Sequence, residues 1–276
     1  MLRWLLPVGL LALAGATRLG SRRLIASIRA RRLTASLLTT EASPPERQFD
    51  GHPVPSPATL LHPHTDFAHR YWSSLLKPGD TVIDATAGNG HDAAELAEAL
   101  MRLGGGTLLC MDAQALALER SKERLRGVLA GWRLTEATPS EWVAAERASG
   151  GAELAVRWVE GCHAAALREL APRSAALVVF NLGYLPGGDK AFTTTTATTI
   201  PAIEAAQRVV AVGGCVSATI YPGHPEGLDE EVAVLDHAAN LTQGEWSVYH
   251  TVWLNQRNKR NGRRAPSLVL MQLLHE

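Results

Sequence analysis

The sequence predicts an α/β fold, a doubly wound and mostly parallel sheet with helices on both faces. Three observations carry this. Runs of strand length, Thr81 to Ile83, Thr107 to Met111, Leu154 to Val159, Ala175 to Phe180 and Cys215 to Tyr221, alternate with stretches of helical period. The first run passes through Asp84-Ala85-Thr86-Ala87-Gly88-Asn89-Gly90-His91-Asp92 into a helical Ala93 to Leu100, so a strand becomes a helix through glycines. The run Ala175 to Phe180 is apolar throughout, as a strand buried on both faces is. With 276 residues, 46% of them hydrophobic, the chain can bury one large core and carry a tail.

The tail comes first. Leu5 to Ala16 is apolar but shorter than the roughly 20 residues of a membrane span. Residues 1–40 hold seven arginines and no acid, interspersed with serine and threonine, which is the composition of an organelle transit peptide, assigned here to residues 1–42. A secretory signal keeps its charge ahead of the apolar run, whereas here most of it follows; a single-span anchor with a basic flank is the rival. Chloroplast is the first destination expected and mitochondrion the second. Six prolines between Pro44 and Pro63 mark residues 43–63 as an irregular linker. The folded domain is expected over 64–276.

Within that domain Phe67, Ala68, Tyr71, Trp72, Leu75 and Leu76 recur at helical spacing and stop at Lys77-Pro78-Gly79. The strand Thr81 to Ile83, the glycine loop and its helix follow. Thr107 to Met111 ends in Asp112, and Gln114 to Leu129 reads as a helix. Trp132 to Gly151 has no clean period and reads as a surface insertion. Leu154 to Val159 leads to Glu160-Gly161-Cys162-His163, with a short helix over Ala164 to Leu170. After Ala175 to Phe180 come a threonine-rich loop, a helix near Thr199 to Val212 and the strand Cys215 to Tyr221. A helix around Leu228 to Asn240 and strands at Ser247 to Leu254 and Leu268 to Leu274 complete the domain.

The formal net charge is zero. Without the leader's seven arginines, 20 basic face 27 acidic side chains, so the body is net negative. That argues against loose, charge-driven binding of nucleic acid, while a local basic patch can still dock a specific RNA. Cys110, Cys162 and Cys215 form no C-x-x-C pair, so neither a zinc site nor a disulfide framework follows, and no metal is expected.

The glycine loop alone does not choose its cofactor, because Gly88-x-Gly90-x-x-Ala93 with Asp112 also fits a dinucleotide fingerprint. Two features favour S-adenosylmethionine. Asp84, four residues before Gly88, stands where methyltransferases place the carboxylate for the methionine end. Asn181-Leu182-Gly183-Tyr184, directly after the fourth strand, keeps the Asn and Tyr spacing of the N-P-P-Y motif of amino-group methyltransferases with both prolines replaced.

The glycine loop, Phe180-Asn181-Leu182-Gly183-Tyr184-Leu185-Pro186-Gly187-Gly188-Asp189-Lys190, Thr198-Thr199-Ile200, Gly223-His224, Glu226-Gly227 and Asn255-Gln256-Arg257-Asn258 together resemble one family. It was once labelled rRNA methylases, and its studied bacterial and plant members are tRNA methyltransferases. The resemblance covers His64 to the C-terminus. It implies a class I, Rossmann-like methyltransferase with a seven-stranded sheet of order 3-2-1-4-5-7-6, and methylation of the primary amine of 5-aminomethyl-(2-thio)uridine at the tRNA wobble position. The chain departs from the family in the length of Trp132 to Gly151 and in the run Lys259 to Arg264, which bear on tRNA docking and leave the cofactor untouched. Small-molecule and rRNA N-methyltransferases with the same cofactor are the alternatives.

In this reading the cofactor seat is Asp84, Thr86, Gly88, Asn89, Gly90, His91, Asp92, Asp112, Cys162, His163 and Asn181. Asp84 serves the amino-acid moiety, Asp112 the ribose hydroxyls, and Cys162 and His163 the adenine side; a helix cap is the other reading of Asp92. Asn181 accepts from and orients the amine, with a strand-end cap as its alternative. Tyr184 stacks on the uracil or closes the pocket wall. Asp189 and His224 are candidate proton acceptors, with His69 and His163 behind them; a turn and a strand cap are the plainer readings of the first two. Arg257, Lys259, Arg260, Arg263 and Arg264 are expected to grip tRNA phosphates, unless they form a solvated hairpin loop. Stable membrane insertion is not expected, and a homodimer is compatible with the reading.

Overall fold

The computed structural model describes residues 48–49, 52–53, 63–138, 140–145, 151, 153–187, 193–223, 225–254 and 265–275. The leader, Asp189, His224 and the basic run Arg257 to Arg264 lie outside these residues. The chain divides into two units, Met1–Ser56 and Pro57–Glu276. In the first, β1 (Gln48–Phe49) pairs antiparallel with β2 (His52–Pro53), inside the stretch expected to be irregular.

The second unit alternates α1 (Pro63–Leu75), β3 (Thr81–Asp84), α2 (His91–Arg102), β4 (Gly105–Asp112) and α3 (Ala115–Val128). Two strands follow without a helix between them, β5 (Arg133–Thr138) and β6 (Glu141–Ala145). Then come β7 (Glu153–Glu160), α4 (His163–Glu169), β8 (Ala175–Asn181), α5 (Thr196–Val209), β9 (Val210–Ile220), α6 (Pro225–Ala239), β10 (Trp246–Thr251) and β11 (Ser267–Leu273). The sheet order is β10-β11-β9-β8-β3-β4-β7-β6-β5. Without β5 and β6 it is the expected 3-2-1-4-5-7-6, with the last strand antiparallel to β9.

Successive residues of a strand point to opposite faces, and the core divides accordingly. Val82, Leu108 and Leu177 pack with Trp72 of α1, Leu96 and Leu100 of α2 and Leu125 of α3. Their neighbours Ile83, Leu109 and Val178 pack on the other face with Leu167 of α4, Ile203 of α5 and Val234 of α6. Each fully buried aliphatic side chain contributes roughly 1.5–3 kcal/mol.

Two sequence expectations are corrected. The segment read as a surface insertion extends the sheet to nine strands: β6 pairs antiparallel with β7, and β5 with β6. The hairpin is held by Trp142, buried edge-on against Trp158 with ring centroids 4.3 Å apart, and by the Arg126 guanidinium 4.5 Å from the Trp142 ring. Further along, α5 ends at Val209 and β9 begins at Val210, earlier than the apolar periodicity suggested. Within β9, Gly214 lies so close to the Ala176 carbonyl that a Cβ would stand 2.5 Å from its oxygen, where the register between β8 and β9 shifts.

β3 lies between β4 and β8, and the helices that follow β3 and β8 depart to opposite faces of the sheet. A crevice opens at such a switch point, above the carboxyl ends of the strands. The glycine loop and the Asn181 loop both start there. Among the described residues no helix is long and apolar enough to cross a membrane.

Candidate functional site

The glycine loop leaves β3 at Asp84. Gly88 (φ +50°) and Gly90 (φ +76°) take left-handed conformations that bring the chain round into α2. The Gly88 amide donates to Asp112 Oδ2 at 2.9 Å, and the Gln114 amide donates to Asp112 Oδ1 at 2.9 Å. Asp112, expected to meet ribose hydroxyls, therefore also clamps the glycine loop to the end of β4; each of its oxygens keeps a further lone pair.

Asp84 is fully buried. Its Oδ1 accepts the Thr86 amide at 3.2 Å, whereas Oδ2 has no hydrogen-bond partner. Burial pushes its carboxyl well above the usual range, and the charges of Asp92 and Asp112 push the same way. The backbone amides of Thr86 and Ala93 oppose them. A buried acceptor without a donor costs free energy until a donor or cation reaches it.

Asn181 ends β8. Its backbone N–H donates to Thr86 Oγ1 at 2.7 Å, which fastens the second loop to the first. Its side-chain Nδ2 donates to Asp92 Oδ2 at 3.1 Å, while Asp92 Oδ1 meets His69 Nε2 at 2.7 Å. Asp92 caps nothing: the N-cap position of α2 is Gly90, which carries no side chain, and the Asp92 carboxylate is committed to α1 and β8 instead. Burial lowers the proton affinity of His69, but the hydrogen bond and charge of Asp92, aided by Glu95 and Asp66, outweigh it, and the net shift is upward from 6.5. One turn along α1, the Trp72 indole donates to Ser217 Oγ at 2.9 Å, which fixes the helix across β9 and so places His69.

The remaining candidates divide. Asn89 and His91 turn outward to α3: Arg120 Nη1 donates to Asn89 Oδ1 at 3.2 Å, and Arg124 Nη2 lies 3.1 Å from His91 Nε2. Burial and the Arg124 charge hold His91 below its ordinary proton affinity. His163 is buried, with Nδ1 donating to the Ala85 carbonyl at 3.3 Å, and burial lowers its proton affinity too. Cys162 is exposed just ahead of α4. Tyr184 is 47% exposed and bridges to Thr193 at the mouth of the second loop.

Two neighbours of the site escaped the sequence reading. Arg120 reaches from α3 to the carbonyls of Pro186 (3.2 Å) and Gly187 (3.3 Å) as well as to Asn89, so it ties the two loops together. Tyr221, at the end of β9, has its phenol pushed up to about 12 by burial and the Asp92 charge, with the Asn181 side chain partly offsetting this. The i, i+4 pair Arg120 and Arg124 was a visible signal for the first, and the position of Tyr221 just past a buried strand for the second.

A seven-strand core of this order, a glycine loop after its first strand and an Asn loop after its fourth define a class I S-adenosylmethionine-dependent methyltransferase. Solved structures agree. A Clostridium thermocellum protein described as an rRNA methylase is 28% identical, with a TM-score of 0.61 over 76% of this chain and 97% of that one. A Streptococcus mutans protein described as a methyltransferase, solved in complex with SAH, is 25% identical, with a TM-score of 0.58 over 76% of this chain and 98% of that one. The chain belongs to the family described as "Putative rRNA methylase", which matches residues 108–265. It is also 34% identical over 213 residues to the chloroplastic tRNA (mnm(5)s(2)U34)-methyltransferase of Arabidopsis thaliana, covering 75% of this chain and 68% of the relative.

The residues present fit S-adenosylmethionine. Asp84 Oδ2 is an orphaned buried acceptor suited to an ammonium group. Among the described residues no group of three or more His, Cys, Asp or Glu side chains could hold a metal ion.

Proposed function

We propose that the chain methylates the aminomethyl amine of the wobble uridine of tRNA in an organelle. The observation that carries this is the Asn181 carboxamide at the end of β8, anchored by Asp92 beside the glycine loop. The Arabidopsis relative, named for this nucleoside and for the chloroplast, supports the substrate and the compartment. Residues 1–42 serve as the transit peptide, 43–63 as a linker and 64–276 as the catalytic domain. The basic run Arg257, Lys259, Arg260, Arg263 and Arg264 provides phosphate contacts.

S-adenosylmethionine supplies a methyl group activated by its sulfonium. The protein's main task is alignment, which can lower a barrier by roughly 7–11 kcal/mol. An alkyl ammonium titrates near about 10.4, so the amine must also lose a proton before it has a lone pair to offer. Asn181 accepts an N–H of the amine and directs the lone pair; the proton passes to Asp189 or His224. Asp84, Gly88, Gly90 and Asp112 hold the cofactor, Thr86 carries the Asn181 backbone, and Tyr184 lines the entrance for the base.

The test is mass spectrometry of tRNA nucleosides after incubation with enzyme and isotope-labelled cofactor. Label on aminomethyluridine is expected. Label only on rRNA or on a small amine would overturn the substrate assignment. Fusion of residues 1–62 to a fluorescent protein tests the leader, with plastid or mitochondrial import expected.

A further inference from the structure

We infer that Asp92 is a positioning residue for the methyl-transfer step, fixed by His69 on one side and itself fixing, on the other, which end of the Asn181 carboxamide meets the amine. This rests on the reading of Asn181 as the amine's acceptor.

The argument begins with what a carboxamide can do. Its two ends are nearly alike in shape and opposite in function, one an acceptor and the other a pair of donors. An asparagine free to turn would present the wrong end to an amine half of the time, and an N–H pointed at the nitrogen lone pair would block it. A carboxylate only accepts, so the 3.1 Å contact with Asp92 Oδ2 requires the Nδ2 end there and turns the carbonyl oxygen away from Asp92. The backbone end of Asn181 is held independently by its N–H bond to Thr86 Oγ1. Both ends of the side chain's lever are thus specified.

Asp92 is in turn held from the far side. Its side chain is 7% exposed, and His69 Nε2 stands 2.7 Å from Oδ1. The His69 ring lies 5.0 Å from Trp72, whose indole is bonded to Ser217 in the core. The chain of contacts runs from β9 through α1 to the start of α2 and then to the end of β8, and apart from the His69–Trp72 step within α1 its links join residues distant in sequence. A surface acid serving only to favour a helix N-terminus would need none of this. The arrangement also places a buried negative charge behind the amide that faces a nitrogen gaining positive charge, where a fixed charge favours the transition state over the ground state.

The test is a double-mutant cycle on Asp92 and Asn181 in the full chain. Asp92→Asn, which can offer either end of its own amide, is expected to lower kcat by about 10- to 100-fold. The rate is measured at saturating S-adenosylmethionine, so a change in cofactor affinity through the charge of Asp92 on Asp84 does not enter kcat. Asn181→Ala should cost at least as much, and the double variant should be no worse than Asn181→Ala alone. Wild-type kcat in Asp92→Asn, or losses that multiply in the double variant, would overturn the inference. If Asp92→Asn does not fold, His69 decides: His69→Ala should lower kcat while His69→Gln, which keeps an N–H for Asp92, restores part of it, and equal rates in the two would overturn it. The cycle is run on whichever acceptor the wild-type enzyme methylates, so a wrong substrate assignment shows in the wild type and a wrong role for Asp92 shows in the variants.

Discussion

Gly90 faces Ser121 so closely that a Cβ on the glycine would stand 2.6 Å from the serine Cα. Backbone is met here, not a yielding side chain, and Gly90 also sits at φ +76°. Gly90→Ala therefore adds a steric clash to a left-handed strain of about 1 kcal/mol. Gly88→Ala meets only the Leu185 Cδ1 and the Thr86 carbonyl, both at 3.6 Å, and pays the strain alone. Thermal melts should rank wild type above Gly88→Ala, and Gly88→Ala above Gly90→Ala by at least the ~2–4 °C that 1 kcal/mol is worth in a domain of this size. The reverse order of the two variants would contradict the packing of α3 on the loop.

In the proposed role, Asp84 couples stability to cofactor binding. Its folded carboxyl titrates above the usual 3.8, so its contribution to stability is complete below that value and is lost as pH rises through the folded value. Asp84→Asn should accordingly raise the melting temperature of the cofactor-free protein at neutral pH. It should also weaken S-adenosylmethionine binding by about tenfold, or ~1.4 kcal/mol, because the ammonium loses its counter-charge. Unchanged affinity would detach Asp84 from the methionine end.

Arg120 joins Asn89 to the carbonyls of Pro186 and Gly187. Arg120→Gln should raise KM for the acceptor by about three- to tenfold, with a smaller effect on KM for the cofactor, since the glycine loop keeps its own bond to Asp112. Steady-state kinetics with each substrate varied in turn would decide. An effect confined to cofactor KM would mean that the tie serves only the first loop.

His69 gives the opposite pH signature from Asp84 in cause but the same in direction. Its folded proton affinity is raised above 6.5 by Asp92, so the pair stabilises the fold fully below 6.5 and less as pH rises through the folded value. His69→Gln should flatten the dependence of melting temperature on pH between about 6 and 8. A variant with the wild-type slope would show that the His69–Asp92 contact is not formed in solution.

The core of the fold was legible because its strands are short apolar runs that carry their own signal, as Thr81 to Ile83 and Ala175 to Phe180 do. β5 was not. Of its six residues only Leu134 is even half-buried, so it lacks the alternation that marks a strand, and its pairing depends on Trp142 finding Trp158. The boundary between α5 and β9 was misplaced because Val209, Val210 and Val212 fit either period. Of the candidate site, Asp84, Gly88, Gly90 and Asn181 stand in contiguous motifs and could be nominated from the sequence directly. The links His69–Asp92, 23 residues apart, and Asp92–Asn181, 89 apart, exist only once α1, α2 and β8 have packed together.

The switch point between β3 and β8 separates the two loops of the candidate site. The loop after β3 continues into α2 on one face, and the loop after β8 leads to α5 on the other, so each ends in a helix of its own and the two meet through Asn181, which reaches Thr86 and Asp92, and through Arg120. Substitutions in Leu182 to Gly187 can thus alter the choice of acceptor while the seat at Asp84 to Gly90 persists, provided Thr86, Asp92 and Arg120 still find their partners. The crevice works as a joint between two separately built loops that are fastened to each other at Thr86, Asp92 and Arg120.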